Sequence, residues 1–217
     1  MHRSKIFAII CSGIITLASC SKKDDPKPKE TVLYETDFSS NDGNWRTGSF
    51  LSGTVSASIE NGYYTMRNNS TQYYYFATSR IFSGITSTTA IETSMKVTGI
   101  GAGVTNPSAA LIWNFNTTDE SDFTFGFSGY GQFTIQGLPD GNNNVVYKDW
   151  ALHSAVRKND FNTLRIELKN NMLYFFINGT EVYSMKPVNG NTLDQVGFEV
   201  PRQRALQVDY IKAVRID

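Results

Sequence analysis

The sequence predicts an all-β protein built as a two-sheet antiparallel sandwich. Three observations carry that prediction. Apolar residues alternate with polar ones in runs of five to nine. Clusters of Gly, Asn, Asp, Ser and Pro separate the runs, and no stretch beyond residue 30 holds a useful amphipathic helical stripe. The length of 217 residues suits one β-domain. With 13% aromatic and 18% charged residues, the composition is core-forming and excludes disorder for most of the chain. Twenty Lys and Arg balance 20 Asp and Glu, which leaves no electrostatic footprint for nucleic acid.

Residues 1–19 read as an export signal. His2, Arg3 and Lys5 form a basic start, and residues 6–17 form an apolar run too short to span a bilayer. The segment ends in Leu17-Ala18-Ser19-Cys20, which resembles the bacterial lipobox. That resemblance implies cleavage before Cys20, lipid on its sulfur and an acylated amino terminus, which together anchor a protein to a membrane. The alternative is an ordinary secretory signal with a coincidental Cys. Residues 20–30 then supply the lipidated Cys and a charged, proline-bearing tether with nothing to bury. The run Cys20-Ser21-Lys22-Lys23-Asp24-Asp25 is similar to the acidic export signals of Bacteroidota lipoproteins. It implies an outer-membrane lipoprotein facing the cell surface rather than the periplasm. Cys11 and Cys20 are the only cysteines, so the body of the chain has no thiol for a disulfide, a zinc site or a nucleophile.

Residues 31–217 form one domain, with no repeat and no second shift of composition. Strands are expected at 32–38, 62–67, 73–78, 90–97, 109–115, 123–127, 132–136, 145–149, 164–168, 172–177, 181–185, 195–200 and 206–216. Alternation assigns their faces. Phe123, Phe125 and Phe127 share one side of their strand, Phe133 and Ile135 one side of the next, and Leu164, Ile166 and Leu168 one side of a third. Phe125, Phe133, Ile166, Phe175, Phe198 and Val208 are expected between the sheets. Asn170-Asn171 and Asn178-Gly179 have the residues of tight hairpin turns, because Asn and Gly adopt positive φ at little cost. Tyr73-Tyr74-Tyr75-Phe76 places rings on both faces of its strand.

A family resemblance enters here. Tyr34-Glu35-Thr36-Asp37-Phe38 followed by Trp45, then Asn61-Gly62-Tyr63-Tyr64, resembles the opening of concanavalin A-like lectin and glucanase domains. Residues 164–168, Asn170-Asn171 and the run from Leu173 to Gly179 are similar to their hallmark hairpin, and Val208-Asp209-Tyr210-Ile211 with Val214-Arg215-Ile216 to their closing strand. The resemblance spans nearly all of residues 31–217 and implies a concanavalin A-like jelly roll. It also implies that Asp209, with Asp37 as a second ligand, helps hold a structural calcium ion through added backbone carbonyls. The alternative is that both aspartates merely end strands. A fold of this kind hosts lectins, glycosidases and adhesion modules alike, so activity has to be read from a site.

Glycoside hydrolysis needs two carboxylates at a short, defined separation. In laminarinase-like hydrolases of this fold they lie on one strand as Glu-x-Asp-x-x-Glu. The best matching strand here reads Asp122-Phe123-Thr124-Phe125-Gly126-Phe127, with Asp122, Thr124 and Gly126 on the cleft side, giving one carboxylate and no pair. No Gly-x-Ser-x-Gly, His-Glu-x-x-His or phosphate-loop motif occurs. His153 is the sole histidine after the signal and reads as a loop or packing residue. The expectation is therefore a non-catalytic glycan-binding module that uses Tyr130 and Trp150 for stacking and Asn114, Thr124 and Gln136 for hydrogen bonds. Trp113 falls in the core by alternation, whereas Trp45 and Trp150 flank turns and are expected at a sheet edge. A hydrolase or lyase with carboxylates converging from distant strands, and a structural or protein-adhesion module, remain the alternatives.

Overall fold

The computed structural model describes residues 29–72, 75–81, 89–116, 121–188 and 192–217. The residues read as an export signal, Cys20 and residues 21–28 of the expected tether lie outside the described residues, as do Tyr73 and Tyr74; Glu30, expected at the end of that tether, instead opens the first strand. Among the described residues there are fifteen strands and no helix. In chain order they are β1 (Glu30–Thr36), β2 (Gly48–Phe50), β3 (Val55–Glu60), β4 (Tyr63–Asn68), β5 (Tyr75–Ile81), β6 (Ala90–Gly99), β7 (Ser108–Trp113) and β8 (Asp122–Ser128). They continue with β9 (Gln132–Leu138), β10 (Val145–Leu152), β11 (Asn162–Lys169), β12 (Met172–Ile177), β13 (Thr180–Met185), β14 (Gln195–Pro201) and β15 (Arg204–Ile216).

These strands form two antiparallel sheets. The nine-stranded sheet runs β13-β12-β11-β6-β15-β4-β3-β2, with β1 also paired to β15. The six-stranded sheet runs β10-β9-β8-β7-β14-β5. The connections jump between sheets, which gives the jelly-roll topology of a two-sheet sandwich. Thirteen strands match the expected ones to within a few residues. The two that were missed are β2, only three residues long, and β3, whose Val-Ser-Ala-Ser-Ile-Glu carries small and polar residues in place of bulky ones.

Hairpins form where the residues permit left-handed backbone. Asn61 and Gly62, Asn170 and Asn171, and Asn178 and Gly179 all have positive φ, between 50° and 80°. Such turns match the twist of the strands they join. Asn178 adds a further constraint: its side-chain oxygen accepts from the Thr163 amide at 2.9 Å, and its side-chain nitrogen donates to the Ala155 carbonyl at 2.7 Å.

The core is a layer of large side chains between the sheets. Phe125, Phe133, Ile166, Phe175, Phe198 and Val208 are all buried, as alternation requires. Phe175 meets Phe125 edge-on at 5.3 Å and Trp113 at 5.4 Å. Trp45 departs from its expected place at a sheet edge. It is 3% exposed, stacks on Phe198 at 5.1 Å and donates its ring N–H to the Tyr34 hydroxyl at 3.0 Å. The segment after β1 folds inward and closes one end of the sandwich with Phe38, Trp45 and Tyr64. Each such ring contributes about 1.5–3 kcal/mol of burial free energy relative to an exposed position.

The outer face of the nine-stranded sheet carries an ion network. Arg165 bonds Glu30 at 2.6 Å, Glu167 at 2.6 Å and Glu92 at 3.2 Å, and Lys212 lies 3.3 Å from Glu92. Burial pushes the Glu92 carboxyl up, but the Tyr210 hydroxyl and the charges of Lys212 and Arg165 outweigh it and hold the group below its ordinary value. The network joins β1, β6, β11 and β15, so β1 is fixed to the middle of the sheet.

Candidate functional site on the outer face of the six-stranded sheet

The register of the six-stranded sheet places one row of residues side by side. Glu199 on β14 pairs with Ala110 on β7, Ala110 with Gly126 on β8, and Gly126 with Thr134 on β9. The adjacent row sets Gly197, Ile112, Thr124 and Gln136 side by side. Phe123, Phe125, Phe127, Phe133, Ile135 and Phe198 occupy the opposite face, so both rows look outward. Ala110 and Gly126 make a low floor, and over it lies a groove of about 310 Å³. Thr124, Thr134, Gln136, Trp150, Glu199, Arg202 and Arg204 line it.

Trp150 reaches this groove because β10 is irregular. Its register against β9 shifts between Val146 and Lys148, and again between Lys148 and Ala151. Extra residues of this kind re-aim side chains. Tyr147 turns inward to within 6.1 Å of the Phe123 ring, and the Trp150 indole turns over the sheet. A Cβ built on Gly126 would lie 3.4 Å from the indole and 2.8 Å from the Thr134 methyl. A side chain at this place would press on the Thr134 methyl, while the ring would sit at ordinary contact distance. The indole side chain stays partly exposed, with the residue 38% accessible to solvent.

The polar groups around the ring are held in place by one another. The Thr134 hydroxyl donates to the Lys148 carbonyl at 2.8 Å and accepts from the Gln136 side chain at 3.1 Å. Asn144 donates to the Gln136 side-chain oxygen at 3.4 Å. Glu199 differs from these. No hydrogen bond or ion pair reaches its carboxyl among the described residues. Burial pushes that carboxyl up to about 8, and the charge of Asp122 adds to the push. Asp122 lines the continuation of the same groove with Thr124, Gln136 and Glu199, and burial raises it as well.

The structure thus brings Thr124, Gln136 and Trp150 together. It does not bring Asn114 or Tyr130 to them. Asn114 ends β7 with φ of 52°, and its side-chain oxygen accepts from the Thr192 amide at 3.2 Å, so it anchors the loop before β14. Tyr130 lies 47% exposed in the β8–β9 turn, beyond the groove. His153 accepts from the Ala155 amide and packs edge-on against Phe133, in keeping with a packing role. Asp37 accepts from the Ser39 amide, and Asp209 sits exposed at the bulge of β15. Among the described residues no three His, Cys, Asp or Glu side chains converge on one point, so calcium there would depend on carbonyl oxygens.

Glu199, Arg202 and Arg204 were not singled out in the sequence. Val196, Phe198 and Val200 do mark Glu199 as outward-facing. Its place in the groove depends on β14 lying between β7 and β5, and no local pattern reveals that order.

Comparison with solved structures identifies this architecture. One matching structure is from the endo-acting O-glycanases that prominent members of the human gut microbiota express to initiate mucin breakdown. It has a TM-score of 0.60 and 12% identity over 86% of this chain and 100% of that one. The laminarinase catalytic domain from Thermotoga maritima matches with a TM-score of 0.56 and 11% identity, over 87% and 99%. The chain has the concanavalin A-like jelly-roll fold. A Clostridium perfringens endo-β-galactosidase that releases GlcNAcα1-4Gal shares it, with a TM-score of 0.58 and 12% identity; this chain is 88% covered and spans 64% of that one. No protein-family model and no curated protein matches the sequence. At these identities the likeness establishes the concanavalin A-like fold and leaves the chemistry to the groove.

Because Glu199 has its titration raised from 4.5 to about 8, the folded protein holds a proton there that the unfolded chain has released. Stability contributed by this proton is full below about pH 4.5 and falls as pH rises toward 8. Glu199→Gln is expected to flatten that decline and raise Tm at pH 8–9 relative to the wild type, in melts followed by circular dichroism. An unchanged pH profile would contradict a neutral Glu199.

Proposed function

We propose that this domain is the non-catalytic glycan-binding module of a cell-envelope lipoprotein, tethered to the outer membrane through Cys20 and facing the cell surface. The observation that carries the binding reading is Trp150, an exposed indole laid over a floor of Ala110 and Gly126 beside the fixed amide and hydroxyl groups of Gln136, Thr134 and Thr124. A sugar ring presents an apolar face for stacking and hydroxyls for directed bonds, and this groove offers both. The fold neighbours named above act on glycans, which supports a glycan as the ligand. On β8, Thr124 and Gly126 stand where a strand-borne carboxylate pair would need acids, and the indole fills the space above Gly126. Each groove has only a few such contacts, so single sites are weak and many anchored copies supply avidity.

One observation favours a second reading, glycoside hydrolysis. Glu199 is protonated at neutral pH and shares its groove with Asp122, so an acid and a base face the same space from different strands. A glycan array run beside a reducing-end release assay separates the two. The expected result is binding without release, with Trp150→Ala weakening affinity by about tenfold, or about 1.4 kcal/mol. Release that Glu199→Gln abolishes would establish hydrolysis instead, and silence in both assays would leave a structural or adhesion role.

The anchor has its own test. Cys20→Ala is expected to move the protein from the membrane fraction to the soluble one. A variant that resists carbonate and high-salt washing would refute the lipid anchor.

A further inference from the structure

Glu199 stands where two depressions meet. The groove beside Trp150 and its continuation beside Asp122, each of about 310 Å³, share Thr124, Gln136 and Glu199. The residues beside Glu199 leave its carboxyl uncovered: Ala77 on β5 pairs with it on one side, Ala110 on β7 pairs with it on the other, and Gly126 lies beyond Ala110. Glu199 and the Trp150 indole thus stand at opposite sides of the floor that Ala110 and Gly126 form. Thr134, Gln136 and Asn144 hold one another, whereas no hydrogen bond or ion pair reaches the Glu199 carboxyl among the described residues. The residue is only half-buried, so a molecule in either depression reaches it. A polar group placed this way is satisfied by what enters the groove.

We propose that Glu199 is a ligand-binding residue that takes two hydroxyls on adjacent carbons of the sugar unit lying against Trp150. This rests on the glycan-binding reading above and narrows it to glycans whose units keep such a pair free. A protonated carboxyl sets one O–H donor beside one carbonyl acceptor. One hydroxyl of an adjacent pair accepts from the first, and the other donates to the second. Hydroxyls set further apart engage only one of the two. Burial, with the charge of Asp122 adding to it, keeps Glu199 protonated at neutral pH. The charged groups around it are Asp122 from β8, Arg202 from the turn between β14 and β15, and Arg204 from β15, while Ala77 and Ala110 carry no charge. Both arginines have partners of their own, among them the Thr71 and Arg202 carbonyls. A sugar seated over the carboxyl takes it further from water, which favours the neutral form and weakens binding once pH passes about 8.

The test is a titration of the full chain, in detergent, with three neutral polymers. Pectic galactan and linear xylan have main-chain units with two adjacent free hydroxyls; laminarin has main-chain units with none adjacent. Galactan or xylan is expected to bind about tenfold more tightly than laminarin at neutral pH. Glu199→Ala is expected to remove that advantage, and Glu199→Gln, whose amide restores a donor beside an acceptor, to recover most of it. The wild type is expected to lose the advantage as pH rises past about 8, and the Gln variant to keep it. Laminarin binding as tightly as the other two would overturn the role of Glu199 and leave glycan binding standing. So would a Gln variant no better than the Ala variant, or Glu199→Ala leaving affinity unchanged while Trp150→Ala lowers it. Binding of none of the three would overturn both. If Glu199→Ala fails to fold, as judged by circular dichroism, the comparison of polymers and the pH courses of the wild type and the Gln variant decide the matter.

Discussion

Phe123, Phe125 and Phe127 project from β8 into the space between the sheets, where Phe125 meets Phe133 at 6.4 Å and Phe175 at 5.3 Å, both edge-on. Strand geometry allows no partial choice: once these three rings face inward, Asp122, Thr124, Gly126 and Ser128 face the other way. The same constraint holds on β9 through Phe133 and Ile135 and on β14 through Val196, Phe198 and Val200. A one-residue slip of any of these strands would bury a polar row and expose a ring. The aromatic layer therefore holds the groove in register as firmly as it holds the sandwich together.

On that fixed background, two local departures make a site. Ala110 and Gly126 withhold side-chain volume from the middle of the sheet, and the shifts in β10 swing Trp150 into the space so created. The other large depression, about 630 Å³ on the nine-stranded sheet, shows the contrast. Its Arg165, Lys212, Glu30, Glu92 and Glu167 are paired with one another, so the charges there bind strands together and are not offered to a ligand. The groove side has an exposed indole and, among the described residues, a carboxyl that no hydrogen bond or ion pair reaches.

Most of the fold was legible in the sequence because it follows from period-two alternation and from turn residues that tolerate positive φ. Thr124, between Phe123 and Phe125, and Gln136, which continues the alternation of Phe133 and Ile135, were legible for the same reason. Trp45 was not, because a tryptophan after an irregular segment carries no periodicity to say which way it folds. Trp150 was legible as a stacking residue but not as a neighbour of Gly126, since a bulge breaks the alternation that would place it. Glu199 illustrates a different limit. Its outward face could be read from Val196, Phe198 and Val200, yet its partners come from strands nearly ninety residues away in sequence, and strand order is a property of the whole chain.

The central claim is that a ligand occupies the groove beside Trp150. Of the three tryptophans, Trp45 and Trp113 are buried at 3% and 0% exposure, so quenching of fluorescence by acrylamide reports chiefly on Trp150. Binding of a polysaccharide should remove most of the quenchable signal and shift the emission of Trp150 as one face of its ring leaves water. Saturable binding of the same polysaccharide with unchanged quenching would place the ligand elsewhere and contradict the account.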